Sequence, residues 1–212
     1  MIMELPKKRR IKMPYAEIRD NNLIIFDLCR YEDMIYELTY ATNQKICAYC
    51  GKRLRKYDRT LDHIYPRVTG GVSIINNLIP ACSRCNSEKG NLNFEEYLEF
   101  KEKYSKKKQK DFLKDCYKRK EQKLKNIGYD LPSSWVMYEK IENINYTKPK
   151  YEFRGKKYYR IVEFYKRYKH LPRPIIVDRN NQLLDGYNLL MFATERKIRK
   201  VPIIRLDNVV LY

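Results

Sequence analysis

Four cysteines stand as two C-x-x-C pairs, Cys47/Cys50 and Cys82/Cys85, and the loop between them holds a carboxylate beside an imidazole, Asp62-His63. A tight C-x-x-C turn sets two sulfurs at bite distance, so two such turns folded together can close a tetrahedron around Zn²⁺. Such a site is coordinatively full and therefore structural. Its binding free energy, of order ~10 kcal/mol in small metal domains, would hold the loop in shape. Two disulfides or a redox C-x-x-C are the competing readings, and the doubled spacing in a chain expected to be cytosolic favours metal. Cys29 and Cys116 stand alone.

Inside this clasp run Leu61-Asp62-His63-Ile64-Tyr65-Pro66-Arg67, Gly70-Gly71, Asn76-Asn77-Leu78 and, around the second pair, Cys82 to Gly90. Hydrolysing a phosphodiester needs a base near neutral pH, a hard cation to take up charge and donors that fix the phosphate. His63 is one of two histidines in the chain and can be that base. A strand, or its end, could present it with Asp62 at one pocket, although a His beside an Asp, taken alone, is more often an ordinary satisfied residue. Asp62 and Asn86 offer the hard oxygens that Mg²⁺ or Mn²⁺ prefers, and Asn86, next to Cys85, would be placed by the zinc. Arg67 and Lys89 are candidates to hold nucleic-acid phosphates by charge-assisted hydrogen bonds, with plain surface charge as the alternative for each. Gly70 and Gly71 read as a sharp turn between two strands.

These residues resemble the HNH endonucleases, whose ββα-metal motif combines an Asp-His pair, a Pro soon after, a Gly-Gly turn, an Asn-Leu and a C-x-x-C-N-x-x-K-G ending. The likeness covers residues 47 to 90. It implies that His63 is the general base, that Asp62 and Asn86 bind one divalent ion, Mg²⁺ or Mn²⁺, and that Asn77 orients His63 by a hydrogen bond. It also implies DNA cleavage to 5′-phosphate and 3′-hydroxyl ends. Asn86 occupies the place where other members carry a third conserved-letter His.

The elements that must position this set give an α+β fold: a zinc-stabilised ββα-metal domain with flanking helices, then a small α/β domain. Residues 1–20 read as a basic arm. The nuclease-like domain with its helices is expected over 21–135 and an accessory domain over 150–212. Tyr31 to Ala41 looks helical. Asn93 and Glu96 have the spacing of a capping box at the start of another helix. Leu113, Cys116, Tyr117 and Leu124 recur at helical spacing in a Lys-rich stretch. In the last third, a helix near Tyr158 to Tyr168, a buried strand Pro174 to Val177, a turn at Arg179-Asn180-Asn181, a strand Leu183-Leu184, a helix Tyr187 to Arg196 and a strand Val201 to Leu206 are expected. This order, with Asp185-Gly186 before the helix and Val201-Pro202 in the last strand, resembles a ParB/sulfiredoxin-like fold. That family's basic pair after the Gly is replaced here by Tyr187-Asn188, so no nucleotide binding is expected.

Lys and Arg total 45 against 26 Asp and Glu, a formal charge of +19. An excess this large calls for a polyanionic partner, and DNA, as duplex or displaced single strand, is the expected one. The run Lys7, Lys8, Arg9, Arg10, Lys12 suits an arm on a nucleic-acid backbone or a nuclear address, and we favour the arm. No membrane partner is expected, since no stretch approaches the ~18 apolar residues of a span, and the N-terminus lacks a signal-peptide core; a cytoplasmic protein is expected. The rival function is a non-catalytic zinc module that binds nucleic acid, for which the clasp and the charge suffice. A nucleotide switch in the last third is a third reading, against which the missing basic pair argues.

Overall fold

The computed structural model describes residues 12–13, 16–19, 22–25, 31–42, 45–55, 57–103, 106–126, 128–147, 155–207 and 209–211. The chain divides into two compact units. The boundary falls at Ile35 and again after Asp130, so among the described residues the first unit is 35–130 and the second combines 12–34 with 131–211.

In the first unit, strand β4 (Arg59–His63) pairs antiparallel with β5 (Leu78–Cys82), with Asp62 opposite Ile79 and His63 opposite Leu78. Helix α2 (Ser83–Lys89) follows without a linker, because Cys82 is its N-cap and accepts from the Cys85 N–H through Sγ at 3.4 Å. Between the strands, the chain turns through short 3-10 segments at Arg67–Thr69 and Ile75–Asn77. Gly71 is forced here by contact: a Cβ on it would lie 1.9 Å from the Tyr65 carbonyl oxygen. Helix α3 (Phe94–Lys103) starts at the expected capping box, in which the Glu96 N–H donates to Asn93 Oδ1 at 2.9 Å and the Asn93 N–H to Glu96 Oε2 at 2.8 Å.

Helix α4 (Lys106–Asn126) buries Phe112, Cys116 and Leu124, whereas Tyr117, expected on the same stripe, is 45% exposed. The apolar core of this unit gathers Tyr97, Phe100, Leu92, Phe112 and Cys116 around the three buried cysteines Cys47, Cys82 and Cys85. Helix α1 (Tyr31–Thr42) lies where helix was expected.

The second unit has a four-stranded mixed sheet in the order β6-β9-β7-β8. Its strands are β6 (Met137–Lys140), β7 (Ile175–Asp178), β8 (Leu183–Asp185) and β9 (Lys200–Leu206), with β7 parallel to β9 and the other two pairings antiparallel. Helices α5 (Lys156–Tyr168) and α6 (Tyr187–Glu195) place Tyr158, Ile161, Leu189, Leu190 and Phe192 in one core with Ile175, Val177, Val201 and Ile203. β6 was not foreseen: Met137 and Tyr138 are exposed, so its sequence lacks a buried-strand pattern.

The expected basic arm needs correction where it is described. Lys12–Met13 (β1), Ala16–Arg19 (β2) and Asn22–Ile25 (β3) form an antiparallel ribbon, and β3 pairs in parallel with Val209–Leu211 (β10). A short strand was expected from Leu23 to Leu28; antiparallel pairing of β2 with β3, and of β1 with β2, makes strands of residues 12–13 and 16–19 that read as a tail. Lys7, Lys8, Arg9, Arg10 and Cys29 lie outside the described residues.

Candidate functional site

The two C-x-x-C turns meet. The Sγ atoms of Cys47, Cys50, Cys82 and Cys85 all lie within 4.8 Å of one another, and Cys50 and Cys82 are 4.0 Å apart. A tetrahedral Zn²⁺ with bonds of about 2.3 Å wants sulfurs about 3.8 Å apart, so the cluster fits the ion with small adjustment. The first turn is closed by the Cys47 N–H donating to Lys52 O at 2.8 Å and the Gly51 N–H to Cys47 O at 2.9 Å. Gly51 sits at φ +70°, the left-handed conformation that this turn demands and that glycine adopts without steric cost. Burial raises the Cys47 thiol, but backbone N–H groups of Cys82, Tyr49 and Cys50 outweigh it and bring its pKa down to about 7. Burial and the hydrogen bond with Cys82 push Cys85 up to about 12. A full set of thiolates at neutral pH therefore requires a cation, which supplies the charge the protein does not.

Along β4, successive side chains face opposite ways. Asp62 goes inward and is 6% exposed. Its Oδ2 accepts from the Tyr49 hydroxyl and pairs with Lys89 Nζ at 2.9 Å. Tyr49 belongs to the first C-x-x-C turn and is wedged between Phe94 and Tyr97, with ring centroids 5.3 and 5.0 Å away. Burial and the Asp62 charge drive the Tyr49 pKa far above its ordinary value, so the phenol stays protonated and donates.

Lys89 is the main correction to the sequence reading. Its side chain has no exposure, and its ammonium is spent on Asp62 and on the His63 carbonyl oxygen at 2.8 Å. Burial lowers its pKa and Asp62 raises it. A buried ammonium with these partners is a strut under the Asp62-His63 pair and is not available to grip a phosphate from solvent.

His63 projects to the other side. Its Nε2 lies 3.2 Å from Ser73 Oγ and 3.4 Å from Arg67 Nε, and Arg67 Nη2 donates to the same Ser73 Oγ at 2.9 Å. Burial, then the charges of Arg67 and Lys89, push the His63 pKa down to about 4, so the ring is neutral at physiological pH. Because a guanidinium can only donate, the Nε2 facing it carries the lone pair, the arrangement a general base needs. Arg67 is exposed, as a phosphate ligand must be.

Asn77, expected to bond His63, instead fixes the backbone around it. Its Oδ1 accepts from the Tyr65 N–H at 2.8 Å, and its Nδ2 donates to Tyr65 O at 3.1 Å and Val72 O at 2.9 Å. With no exposure, it staples the two ends of the loop that carries Arg67. On α2, Asn86 donates through Nδ2 to Thr60 Oγ1 at 3.1 Å and Leu61 O at 3.3 Å, which points its amide oxygen away from β4.

The site thus joins Cys47, Cys50, Cys82 and Cys85 in one cluster, Asp62 with Lys89, and His63 with Arg67. Tyr49 and Ser73 were not singled out from sequence. The position of Tyr49 within a C-x-x-C turn was a usable signal, whereas Ser73 had none.

The HNH endonuclease family matches residues 47–92 of this chain. Residues 47–92 are an HNH endonuclease domain. A stretch of the chain is similar to the CRISPR-associated endonuclease Cas9 of Corynebacterium diphtheriae, 43% identical over 49 residues. That stretch takes in 23% of this chain and 4% of the Cas9 protein, so the likeness spans only a small part of that relative's length. The clasp, the β4-β5 hairpin and α2 all lie inside the HNH domain. No helix among the described residues is long and apolar enough to cross a membrane.

Proposed function

We propose that the protein is an endonuclease that hydrolyses DNA phosphodiester bonds through its HNH domain, with one divalent ion, Mg²⁺ or Mn²⁺, and a structural zinc. The observation that carries this reading is His63, held neutral at the end of β4 with its Nε2 lone pair facing exposed Arg67. The divalent ion would sit on Asp62 and Asn86. The donor types suit a hard cation: Tyr49 and Lys89 both occupy Oδ2 of Asp62 and leave Oδ1, and the Asn86 amide oxygen would reach the same ion once its side chain turns from its contacts with Thr60 and Leu61. When bound, such an ion supplies Lewis-acid stabilisation of the charge that builds on the phosphate and the leaving oxygen.

In this mechanism the phosphate draws Arg67 off the imidazole, freeing Nε2 to take a proton from water. The water oxygen bonds to phosphorus as the bond to the 3′ oxygen breaks, and that oxygen takes a proton from solvent to become a hydroxyl, the phosphate staying on the 5′ end. Asn77 and Lys89 hold the backbone and the carboxylate in place. For residues 150–212, the strand–helix–strand order and the Gly186 start of α6 support a ParB/sulfiredoxin-like accessory domain without nucleotide binding.

One observation favours a second reading. Asp62 is already neutralised inside the protein by Lys89, as it would be in a non-catalytic zinc module that only binds nucleic acid.

Supercoiled plasmid incubated with Mg²⁺ or Mn²⁺ separates the two. Wild type is expected to nick or cut, and a zinc-loaded His63→Ala variant to lose about 10²–10⁴-fold in rate. Equal cutting by that variant rejects His63 as the base. Binding without cutting by both proteins, on duplex, single-stranded and RNA substrates, supports the binding module.

A further inference from the structure

The first C-x-x-C turn and the chain leading into β4 form a cleft of about 780 Å³ lined by Lys45, Lys52, Arg53, Leu54, Arg55 and Arg59. Five of these six residues are cationic, and none is acidic. The four outermost cations, Lys45, Lys52, Arg53 and Arg55, are exposed, and Leu54 is buried beneath them as the floor. Lys52 pairs with Asp58 at 2.7 Å, Arg55 donates to the Tyr57 hydroxyl at 2.8 Å, and Arg59 also has a partner. With five cations and no acidic residue in its lining, the cleft is positive.

These residues are spread over the sequence from 45 to 59 and are gathered by the turn itself. The Leu54 N–H donates to Lys45 O at 2.8 Å, and Ile46 bridges Arg53, which brings the two flanks of the zinc turn side by side. The clasp therefore builds the cleft. Four thiolates on one Zn²⁺ also leave the clasp net negative, so part of this positive charge serves as its counter-charge. That requirement does not account for a concave, outward-facing arrangement, which suits a chain of phosphates.

We propose that this cleft is a second contact for the nucleic-acid backbone, separate from the cutting centre, and that it holds the substrate's phosphates beside the scissile bond. The proposal rests on the nuclease reading above. Arg59 opens β4 and His63 closes it, and four residues of strand span about 13 Å. The cleft is thus set apart from the reacting phosphate along the same strand. Its contacts are to phosphate and carry no sequence information. They contribute affinity and register while Arg67 and His63 act on the reacting phosphate.

The test measures binding apart from cutting. Full-length, zinc-loaded His63→Ala protein is titrated against a fluorescent DNA hairpin by anisotropy, without Mg²⁺ or Mn²⁺, from 50 to about 250 mM salt. The same protein carrying Lys45→Gln, Arg53→Gln and Arg55→Gln is expected to bind at least about 10-fold more weakly at 100 mM salt, with a log–log salt slope shallower by about 2 to 3. A control with Lys114→Gln, Lys118→Gln and Lys125→Gln on α4 loses the same charge and is expected to keep most of the affinity. Zinc content and melting temperature are measured for all three proteins. Equal weakening in the cleft and control variants, or an unchanged slope in the cleft variant, overturns the cleft while leaving the nuclease reading intact. Absence of DNA binding by the parent, with no cutting by wild type, fails the nuclease reading itself and the cleft with it.

Discussion

Nine polar or charged residues are buried among the described residues; eight of them, Asp62, Asn77 and Lys89 included, lie in the first unit and only Asp178 lies in the second. The second unit is held by an ordinary aliphatic and aromatic core, in which Ile175, Val177, Ala193, Val201 and Ile203 have no exposure at all. The first unit packs Tyr97 and Leu92 against zinc-ligand cysteines and runs a carboxylate, an ammonium and an amide through its interior. Buried polar groups are costly unless every one is paired, and holding them in register takes an anchor stronger than a small apolar core. The contrast teaches where rigidity was needed: the unit with the HNH domain is organised by a four-cysteine cluster that could bind zinc and by buried hydrogen bonds, and the other mainly by its apolar core.

The largest test of that contrast is removal of the zinc. Chelation, or Cys82→Ser, is expected to unfold the first unit, since about 10 kcal/mol of its stability comes from the metal, while the second unit keeps its amide protection. Hydrogen exchange read separately over residues 59–103 and 175–206 checks this, and equal loss in both segments breaks the comparison.

Next in size is the buried ion pair. Lys89→Met strands the Asp62 charge and is expected to destabilise the first unit by about 3–5 kcal/mol. Adding Asp62→Asn is expected to restore most of that loss, because a neutral amide tolerates the same surroundings. Denaturant melts of the single and double variants give the answer, and failure of the second change to restore stability means that Lys89 acts through packing rather than charge.

The smallest effect is that of pH. Because burial holds the folded His63 pKa near 4 against about 6.5 in the unfolded chain, the unfolded state binds the extra proton between those values. Stability is therefore unaffected by this group above pH 6.5 and falls as pH drops through the window from 6.5 to 4. The contribution stays below about 3.5 kcal/mol. Zinc-loaded wild type is expected to lose more stability across that window than His63→Gln, and parallel curves would place the imidazole in solvent.

Much of this was legible in the sequence for a definite reason. The cysteine spacings, the capping box at Asn93 and the alternation of apolar strands with an apolar-faced helix in residues 156–206 are local signals, and each element stands within a few residues of its expected place. What escaped was non-local. Lys89 sits in a polar run, Asn86 to Lys89, that reads as surface, and only the partner across the hairpin shows that it is buried. Asp62 and His63 read as one pocket because they are adjacent, yet adjacency on a strand is what separates their side chains. A short strand was expected from Leu23 to Leu28, near β3, but β1 and β2 escaped because they are strands only through pairing with each other and with β3, whose own partner, Val209 in β10, is non-local.

That last pairing bears on the order in which the molecule is made. The first unit is continuous in sequence, so all its residues have left the ribosome once residue 130 has emerged, and its zinc site can close as soon as Cys85 is free. The sheet that holds β3 must wait for Val209 to Leu211, which are made well after Asp130. A chain emerging from the ribosome would thus carry a folded, metal-loaded domain well before its second unit is complete.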